Sequence, residues 1–270
     1  TTASYNISIG EDSLDANTTG ANNVGIGHQA LTANTTANNN TAVGYVSGSS
    51  NTTGAGNVSV GESSLKTNTE GDNNVGVGKN ALEATTGDSN TGVGKDAGKS
   101  ITSGDNNLCL GRDAGIASSP GGAVTTGNNQ ICLGDENITH AHIQVDWTVA
   151  SDGRDKTDIS ELNSGLSFVN QLKPVTYRWD KRSHYSKDQE IIPDGKYKSE
   201  QLDVGFLAQD VNELEKNYGF SSEEKSNLIS NLSEDGKMYG LKYNKFVPML
   251  VNAVQELSAE VEELKSKLGE

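Results

Sequence analysis

The chain has 270 residues, a formal net charge of −15 at pH 7 and only 5% aromatic residues. Such an acidic chain repels phosphate backbones and anionic lipid headgroups, which argues against nucleic-acid and membrane-surface binding. No stretch approaches the roughly 18 consecutive apolar residues of a membrane span, and the two cysteines are too few for a disulfide framework. We therefore expect no nucleic-acid partner and no membrane insertion.

The first 134 residues consist of one repeated unit. In each copy Asn or Gln is followed by any residue, a small residue, an aliphatic residue and Gly. The final glycines of the eight copies are Gly10, Gly27, Gly44, Gly61, Gly78, Gly94, Gly111 and Gly134. Their spacing is 17, 17, 17, 17, 16, 17 and 23 residues. An almost constant period predicts a repeat architecture rather than a disordered polar segment.

Each unit has room for one short strand. Aliphatic residues two apart, such as Ile7 and Ile9 or Val24 and Ile26, share one face, while the small residue between them points the other way. We therefore predict a parallel β-solenoid shaft over residues 1–146. We take its aliphatic residues as the core, and they are too few to offset the conformational entropy of a single ordered chain. We expect several chains to share one core, and we prefer a homotrimer.

The repeated unit resembles those in the heads of trimeric autotransporter adhesins and in phage tail-fibre shafts, although the period of 17 is longer than in those families. Cys109 and Cys132 occupy its small-residue position in the last two copies. We favour two small apolar residues filling a niche over a disulfide between stacked coils or chains.

A final strand is predicted where the repeats end, because every second residue is apolar across residues 141–147. His140 and His142 would share its other face. In a trimer, these imidazoles would place six nitrogen ligands near the axis, similar to the His-x-His pairs of some phage fibre needles. The alternative is a pair of exposed histidines. This axial metal ion is a candidate cofactor, and we expect none to be required.

Four motifs in the second half occur in an order that resembles one known family. They are S-D-G-R-D-K at 151–156, L-K-P-V-T-Y-R-W at 172–179, V-G-F-L-A-Q-D-V at 204–211 and Y-N-K-F-V-P-M-L-V-N-A-V-Q-E-L at 243–257. Together they resemble the intramolecular chaperone that ends phage tail spikes and fibres, endosialidases and some membrane-tethered transcription factors. The resemblance implies an α+β chaperone domain over residues 147–270.

The resemblance also implies self-cleavage between Ala150 and Ser151. Carried over by position, Ser151 is the nucleophile and Lys156 the general base, with Asp152 and Arg154 in support. A serine hydroxyl is a weak nucleophile until a neighbour takes its proton. A lysine can take that proton only where burial or a nearby positive charge destabilises its ammonium form, and Arg154 is a candidate source of that charge.

The spacing of the dyad constrains this interpretation. Five residues along an α-helix turn through about 500°, which would place Ser151 and Lys156 on different faces. The dyad therefore needs a bent loop or a lysine from a neighbouring chain. In the family, the second arrangement would couple cleavage to correct trimer assembly. Without the downstream motifs, a solvated charged turn would be the simpler interpretation.

Further elements are predicted from periodicity and turn residues. They are a helix over 162–172, a strand over 175–179, an exposed hairpin over 181–198, a strand over 204–207, a helix over 210–217 and a long helix over 244–268. The last helix carries a heptad pattern of Val247, Leu250, Val254, Leu257, Val261, Leu264 and Leu268. Val at a with Leu at d favours two strands in isolation. We expect the solenoid and chaperone to set the number at three, or the helix to pack back on its own chain.

Together these features predict the C-terminal region of a phage tail fibre or tail spike. The expected product is a trimeric host-adhesion shaft on the virion, made in the host cytoplasm, that binds a polysaccharide or protein receptor. The expected enzyme activity is a single-turnover Ser-Lys self-cleavage with no external substrate. The alternative is a bacterial trimeric surface adhesin fragment with an uncleaved trimerisation domain, which would need a membrane anchor where this chain ends in a helix.

A polysaccharide-cleaving solenoid is a third possibility that the sequence disfavours. Glycoside hydrolysis requires two carboxylates held several ångström apart in a cleft. No recurring pair stands out among the acidic residues of the repeats, and we expect these residues in solvated turns: Asp12, Glu62, Asp72, Asp96 and Asp113.

Overall fold

The computed structural model describes residues 2–186, 190–220 and 227–269. The chain divides into two compact units. The first unit comprises Thr1–Thr139, Arg182–Ile191 and Ser233–Met238, and the second comprises His140–Lys181, Ile192–Leu232 and Tyr239–Glu270.

The first unit is a parallel β-solenoid, as predicted. Its eight three-residue strands form one sheet in chain order, each strand pairing in register with the next. The strands are β1 Ile7–Ile9, β2 Val24–Ile26, β3 Thr41–Val43, β4 Val58–Val60, β5 Val75–Val77, β6 Thr91–Val93, β7 Leu108–Leu110 and β8 Ile131–Leu133.

The expectation that the aliphatic residues of each strand form the core was wrong, because the opposite side of the strand faces the interior. The small central residue is buried, as at Ala42, Ser59 and Cys109. The aliphatic residues flanking it form a half-buried to exposed row on the outer surface, here called the aliphatic stripe. Its members are Ile7, Ile9, Val24, Ile26, Val43, Val58, Val60, Val75, Val77, Val93, Leu108, Leu110, Ile131 and Leu133.

Residues from the turns fill the interior instead. Leu31, Leu65 and Leu82 are almost completely buried although each has a φ between 49° and 52°. A left-handed conformation costs a leucine about 1 kcal/mol or more, whereas burial of its side chain contributes about 2 kcal/mol. Burial therefore stabilises a backbone conformation that leucine otherwise avoids.

A ladder of asparagines explains the residue that begins each unit. The Oδ1 atom of Asn23 accepts the N–H of Asn40 in the next coil at 2.9 Å, and its Nδ2 atom donates to the carbonyl of Ala37 at 2.8 Å. Asn40 repeats both contacts with Asn57 and Gly54. The buried amides are hydrogen-bonded from coil to coil, which makes a polar interior tolerable.

The glycine that ends each unit lies too close to the next coil for any side chain. Gly44 has a φ of 137°, and a Cβ atom there would lie 2.6 Å from the carbonyl oxygen of Gly61. Both the backbone conformation and the close approach therefore require glycine.

The second unit contains a small α+β region followed by a long helix, also as predicted. Strand β9 pairs antiparallel with β10, and β11 with β12. The elements are α1 Leu166–Val169, β9 Val175–Tyr177, β10 Asp203–Gly205, α2 Ala208–Asn217, β11 Ser230–Leu232, β12 Tyr239–Leu241 and α3 Phe246–Leu268. Their buried core is built from Phe168, Val211, Leu214, Ile229, Phe246 and Met249.

Two predictions for the second half of the chain differ from the structure in extent. The helix expected over 162–172 is reduced to the single turn of α1, which begins after the non-helical Gly165. In the predicted hairpin over 181–198, Arg182–His184 form a 3₁₀ turn, and residues 187–189 lie outside the described part of the chain. The strand β9 instead pairs with β10.

Helix α3 has two distinct apolar faces. Phe246, Met249 and Ala253 are buried against the rest of the unit. The other face, here called the heptad seam, is 40 to 75% exposed and consists of Val247, Leu250, Val254, Leu257, Val261, Leu264 and Leu268. The sequence left open whether the heptad face joins several chains or packs on its own chain. Within the described residues, the seam does not pack on its own chain.

Polar contacts fix the packing face of the same helix. Asn252 donates to the carbonyl of Leu162 at 3.0 Å, and the Glu256 carboxylate accepts the N–H of Leu166 at 2.6 Å. None of the helices that the structure describes combines the length and hydropathy of a bilayer span.

Candidate functional site

The residues of the S-D-G-R-D-K motif form a single tight turn. A 3₁₀ turn over Gly153–Asp155 begins at Asp152, whose carboxylate accepts the N–H of Arg154 at 2.9 Å, and ends at Lys156. The turn brings both ends of the motif together, so that the Nζ atom of Lys156 lies 2.6 Å from the Oγ atom of Ser151 and 3.3 Å from its carbonyl oxygen.

This turn explains how two residues five positions apart can be in contact within one chain. Ser151 and Lys156 meet through the bend of a tight turn, which is the first of the two arrangements that the sequence left open. A serine hydroxyl within hydrogen-bond distance of an amine is the arrangement that nucleophilic catalysis requires. One chain therefore brings the hydroxyl and the amine into contact without a residue from a second chain.

Asp152 and Arg154 form a two-pronged ion pair beside the dyad. The Nη2 atom of Arg154 lies 2.6 Å from Oδ2 of Asp152, and its Nε atom lies 3.1 Å from both carboxylate oxygens. These hydrogen bonds lower the pKa of Asp152 and raise that of Arg154. Asp152 compensates the charge of Arg154, so the guanidinium is held in the turn rather than directed at Lys156.

Ser151 and Lys156 lie in a segment that is exposed to solvent along its whole length. Every residue from 140 to 160, here called the junction segment, is exposed. Its large apolar side chains are more than half exposed: Ile143, Val145, Trp147, Val149 and Ile159. The strand predicted over 141–147 does not form, because these residues lack a neighbouring strand with which to pair.

The two junction histidines lie side by side. The rings of His140 and His142 stack with centroids 5.9 Å apart and an interplanar angle of 5°. Among the described residues of one chain, no group of three or more His, Cys, Asp and Glu side chains could hold a metal ion.

The paired cysteines are buried or half-buried inside the solenoid. Cys109 and Cys132 are direct neighbours in strands β7 and β8, and both thiols are free. The hydrogen bond between the thiols, together with burial, raises the pKa of Cys109. This arrangement agrees with two small apolar residues filling a niche.

Comparison with known families identifies the segment that carries the dyad. Residues 151–220 match the family model described as chaperone of endosialidase. The match begins at Ser151, directly after the expected cleavage bond, and confirms the resemblance carried by the S-D-G-R-D-K motif. No curated protein and no solved structure matches the chain. The chain thus combines a parallel β-solenoid with a following segment that matches this chaperone family model.

Two features of the structure, one in the solenoid and one in the site, could not be predicted from the sequence motifs. The outward direction of the aliphatic stripe depends on which face of a two-residue period the turns cover, and a period alone does not specify this. The pairing of Asp152 with Arg154 was not predicted, because it depends on a tight turn whose backbone conformation the motif does not specify. The Ser-Asp-Gly sequence was the one signal of such a turn.

Proposed function

We propose that this chain is the C-terminal region of a phage tail fibre or tail spike. In this proposal three copies form a host-attachment shaft, and the chaperone part drives their trimerisation before it is released by self-cleavage between Ala150 and Ser151. The proposal is supported by the chaperone family match and by the phage-tail association that the resemblance implies. The observation that carries it is the aliphatic stripe.

The stripe is an apolar surface that is partly exposed to water along the whole solenoid. Eight strands about 4.8 Å apart give it a length of roughly 34 Å. Soluble monomers rarely expose continuous apolar surfaces of this kind, which mark interfaces instead. Three solenoids that turn their stripes toward a common axis would share one core, and this is how a homotrimer would stabilise a shaft with so thin an interior.

The junction segment and the heptad seam support the same assembly independently. Trp147 and Val149 are 73% and 74% exposed in the single chain, and the seam presents seven apolar residues at coiled-coil spacing. Each surface gains stability when it packs against copies of itself. A long helix that anchors one face in its own chain and leaves a heptad face free is suited to joining chains.

Self-cleavage would proceed in two steps at the dyad. As Lys156 takes the hydroxyl proton, the Oγ atom of Ser151 bonds to the carbonyl carbon of Ala150. The C–N bond between Ala150 and Ser151 then breaks, and the lysine returns the proton to the departing amino group. This leaves an ester between the Ala150 carboxyl group and Oγ. Water hydrolyses the ester, which leaves Ala150 as a C-terminus and Ser151 as an N-terminus.

Assembly would control this reaction by desolvation. Lys156 must enter the first step as a neutral amine, and its side chain is exposed in the single chain. Burial of a lysine disfavours the ammonium form. If the apolar residues of the junction segment are buried between chains, the dyad between them loses water as well, and cleavage follows assembly.

The test is the mass of the uncleaved protein in solution. Light scattering on the Ser151→Ala chain should give three times the 28.4 kDa chain mass. A monomer mass would contradict the shared-core assembly. A trimer whose wild-type form is never cleaved would instead favour the bacterial surface adhesin with a permanent trimerisation domain. Receptor class, virion location and a metal ion at His140 and His142 remain parts of the proposal that need their own tests.

A further inference from the structure

Each turn of the solenoid is hydrogen-bonded to the turn of the next coil. The N–H of Thr18 donates to the carbonyl of Thr35 at 2.9 Å, and its hydroxyl donates to the same carbonyl at 3.0 Å. The same two bonds recur at the equivalent threonines, which are Thr35, Thr52, Thr86 and Thr102. One carbonyl of coil n+1 therefore accepts at least two donors of coil n.

The last coil has no following coil to supply this acceptor. Its turn contains Thr125, Thr126 and Gly127, whose N–H groups would be left without partners. The Glu234 carboxylate occupies the place of the missing coil. It accepts the N–H groups of these residues at 3.1, 2.8 and 3.1 Å. It also accepts both threonine hydroxyls, that of Thr125 at 2.8 Å.

Glu234 is held by a well-defined turn. It belongs to the Ser233–Met238 turn, which lies within the first unit. The Oγ atom of Ser233 accepts the N–H of Met238 at 2.9 Å, and Arg182 donates to the carbonyl of Lys237 at 2.7 Å. A Cβ atom at Gly122 would lie 2.7 Å from that of Ser233, so the glycine leaves room for the turn. The carboxylate is thus presented by a structured element.

We propose that Glu234 is the end cap of the solenoid, a carboxylate that replaces the backbone carbonyl of an absent ninth coil. Five donors converge on this one group, and two of them repeat the hydroxyl and N–H pair found at Thr18 and its four equivalents. Hydrogen bonds to a charged acceptor are the stronger kind, so a single side chain can close an edge that a full coil closes elsewhere.

Self-cleavage would change how the cap is connected to the coil that it closes. Glu234 follows the Ala150–Ser151 bond in the chain, so in the uncleaved protein the cap and the coil that it closes belong to one molecule. The cap itself does not depend on self-cleavage. Only its release rests on the proposed function, because cleavage would leave Glu234 attached to the last coil by noncovalent contacts alone.

Hydrogen exchange on the full-length Ser151→Ala chain tests the cap separately from cleavage. We expect Glu234→Ala to speed exchange of the amides of residues 125–127 by at least about tenfold, with the amides of the first coils unchanged. Glu234→Gln, which keeps the shape but loses the charge, should have a smaller effect. The matched control is Glu200→Gln, an exposed glutamate of the second unit.

Unchanged exchange at residues 125–127 in Glu234→Ala would overturn the proposal. If that variant does not fold, the double variant Thr125→Val and Thr126→Val removes the hydroxyl donors from the solenoid side instead. Faster exchange of residue 127 in that variant supports the cap, and unchanged exchange contradicts it. Failure of self-cleavage would leave either result unaffected, because the Ser151→Ala chain cannot be cleaved by Ser151.

Discussion

Lys156 Nζ lies 2.6 Å from Ser151 Oγ because one 3₁₀ turn, capped by Asp152, reverses the chain between them. Both side chains belong to the same chain and both are exposed. The two groups of the proposed dyad are therefore in contact in one chain but exposed to water. One chain supplies the geometry of the site, whereas assembly would supply its desolvation.

Removing either member of the dyad should abolish processing. We expect Ser151→Ala and Lys156→Ala to stay intact under conditions that cleave the wild-type chain, since neither retains a nucleophile and base in contact. Lys173→Ala, which removes an exposed lysine outside the turn, should be cleaved at the wild-type rate. Gel densitometry over time measures all three, and cleavage of both dyad variants would show that the dyad assignment is wrong.

Weakening the turn should slow cleavage without removing the dyad. Asp152→Asn loses the charge that pairs with Arg154 and weakens the acceptor that caps the turn. We expect roughly tenfold slower cleavage, because small displacements of a reacting pair have effects of at least this size. The control is Asp158→Asn, a nearby exposed acid with a left-handed backbone that asparagine also tolerates. Equal rates in the two variants would mean that the Asp152–Arg154 pair does not position the dyad.

A single methyl group should disrupt coil stacking at Gly44. Its Cβ atom would lie 2.6 Å from a backbone oxygen of the next coil, and its φ is 137°. We expect Gly44→Ala to lower the free energy of unfolding by about 2 kcal/mol or more. Gly121→Ala shares the positive φ but has open space around it, so it should cost clearly less. Thermal unfolding compares the two, and equal losses would show that the close approach is unimportant.

Polar substitution in the heptad seam should weaken assembly and spare the chain itself. Leu257 is 48% exposed on α3, so Leu257→Asn removes little from the core of its own unit. In a coiled coil the same position would be buried between chains. We expect a higher dissociation constant by sedimentation with unchanged helix content by circular dichroism. Glu260→Gln on the same exposed part of α3 is the control, and wild-type assembly of Leu257→Asn would exclude the seam from the interface.

Acid should open the solenoid cap. Burial alone would raise the pKa of Glu234, but hydrogen bonds from Thr126 and Thr125 outweigh it and lower the pKa from 4.5 to about 2. A lowered pKa contributes stability that is complete above the unfolded value and is lost as the pH falls from about 4.5 toward 2. Protection of residues 125–127 should therefore decline over this range in the wild-type chain. In Glu234→Gln the decline should be smaller, and parallel profiles would contradict the assignment.

The sequence predicted the strands but not which side of them is inside. A period of two places Val58 and Val60 on one face, and the covered side was decided by turn leucines with left-handed backbones such as Leu65, which no propensity favours. The asparagine ladder was also missed, because asparagines in a turn-rich repeat suggest turns first. The Ser151–Lys156 contact required the tight turn as well as the resemblance.

The cap at Glu234 could not have been predicted from sequence. It lies 109 residues from Thr125, and one glutamate in a polar turn carries no pattern. Only the ladder of Thr18 and its equivalents, seen in three dimensions, shows that an acceptor is required at the end of the shaft. Periodic features were therefore accessible to sequence reasoning, whereas contacts that break the period were not.

Intact mass spectrometry on freshly expressed wild-type chain beside Ser151→Ala decides whether the chain cleaves itself. We expect two wild-type fragments whose termini meet at Ala150 and Ser151, and a single full-length mass for Ser151→Ala. A single full-length mass in both samples would contradict self-cleavage and would leave a chaperone that stays on the finished shaft as its permanent end.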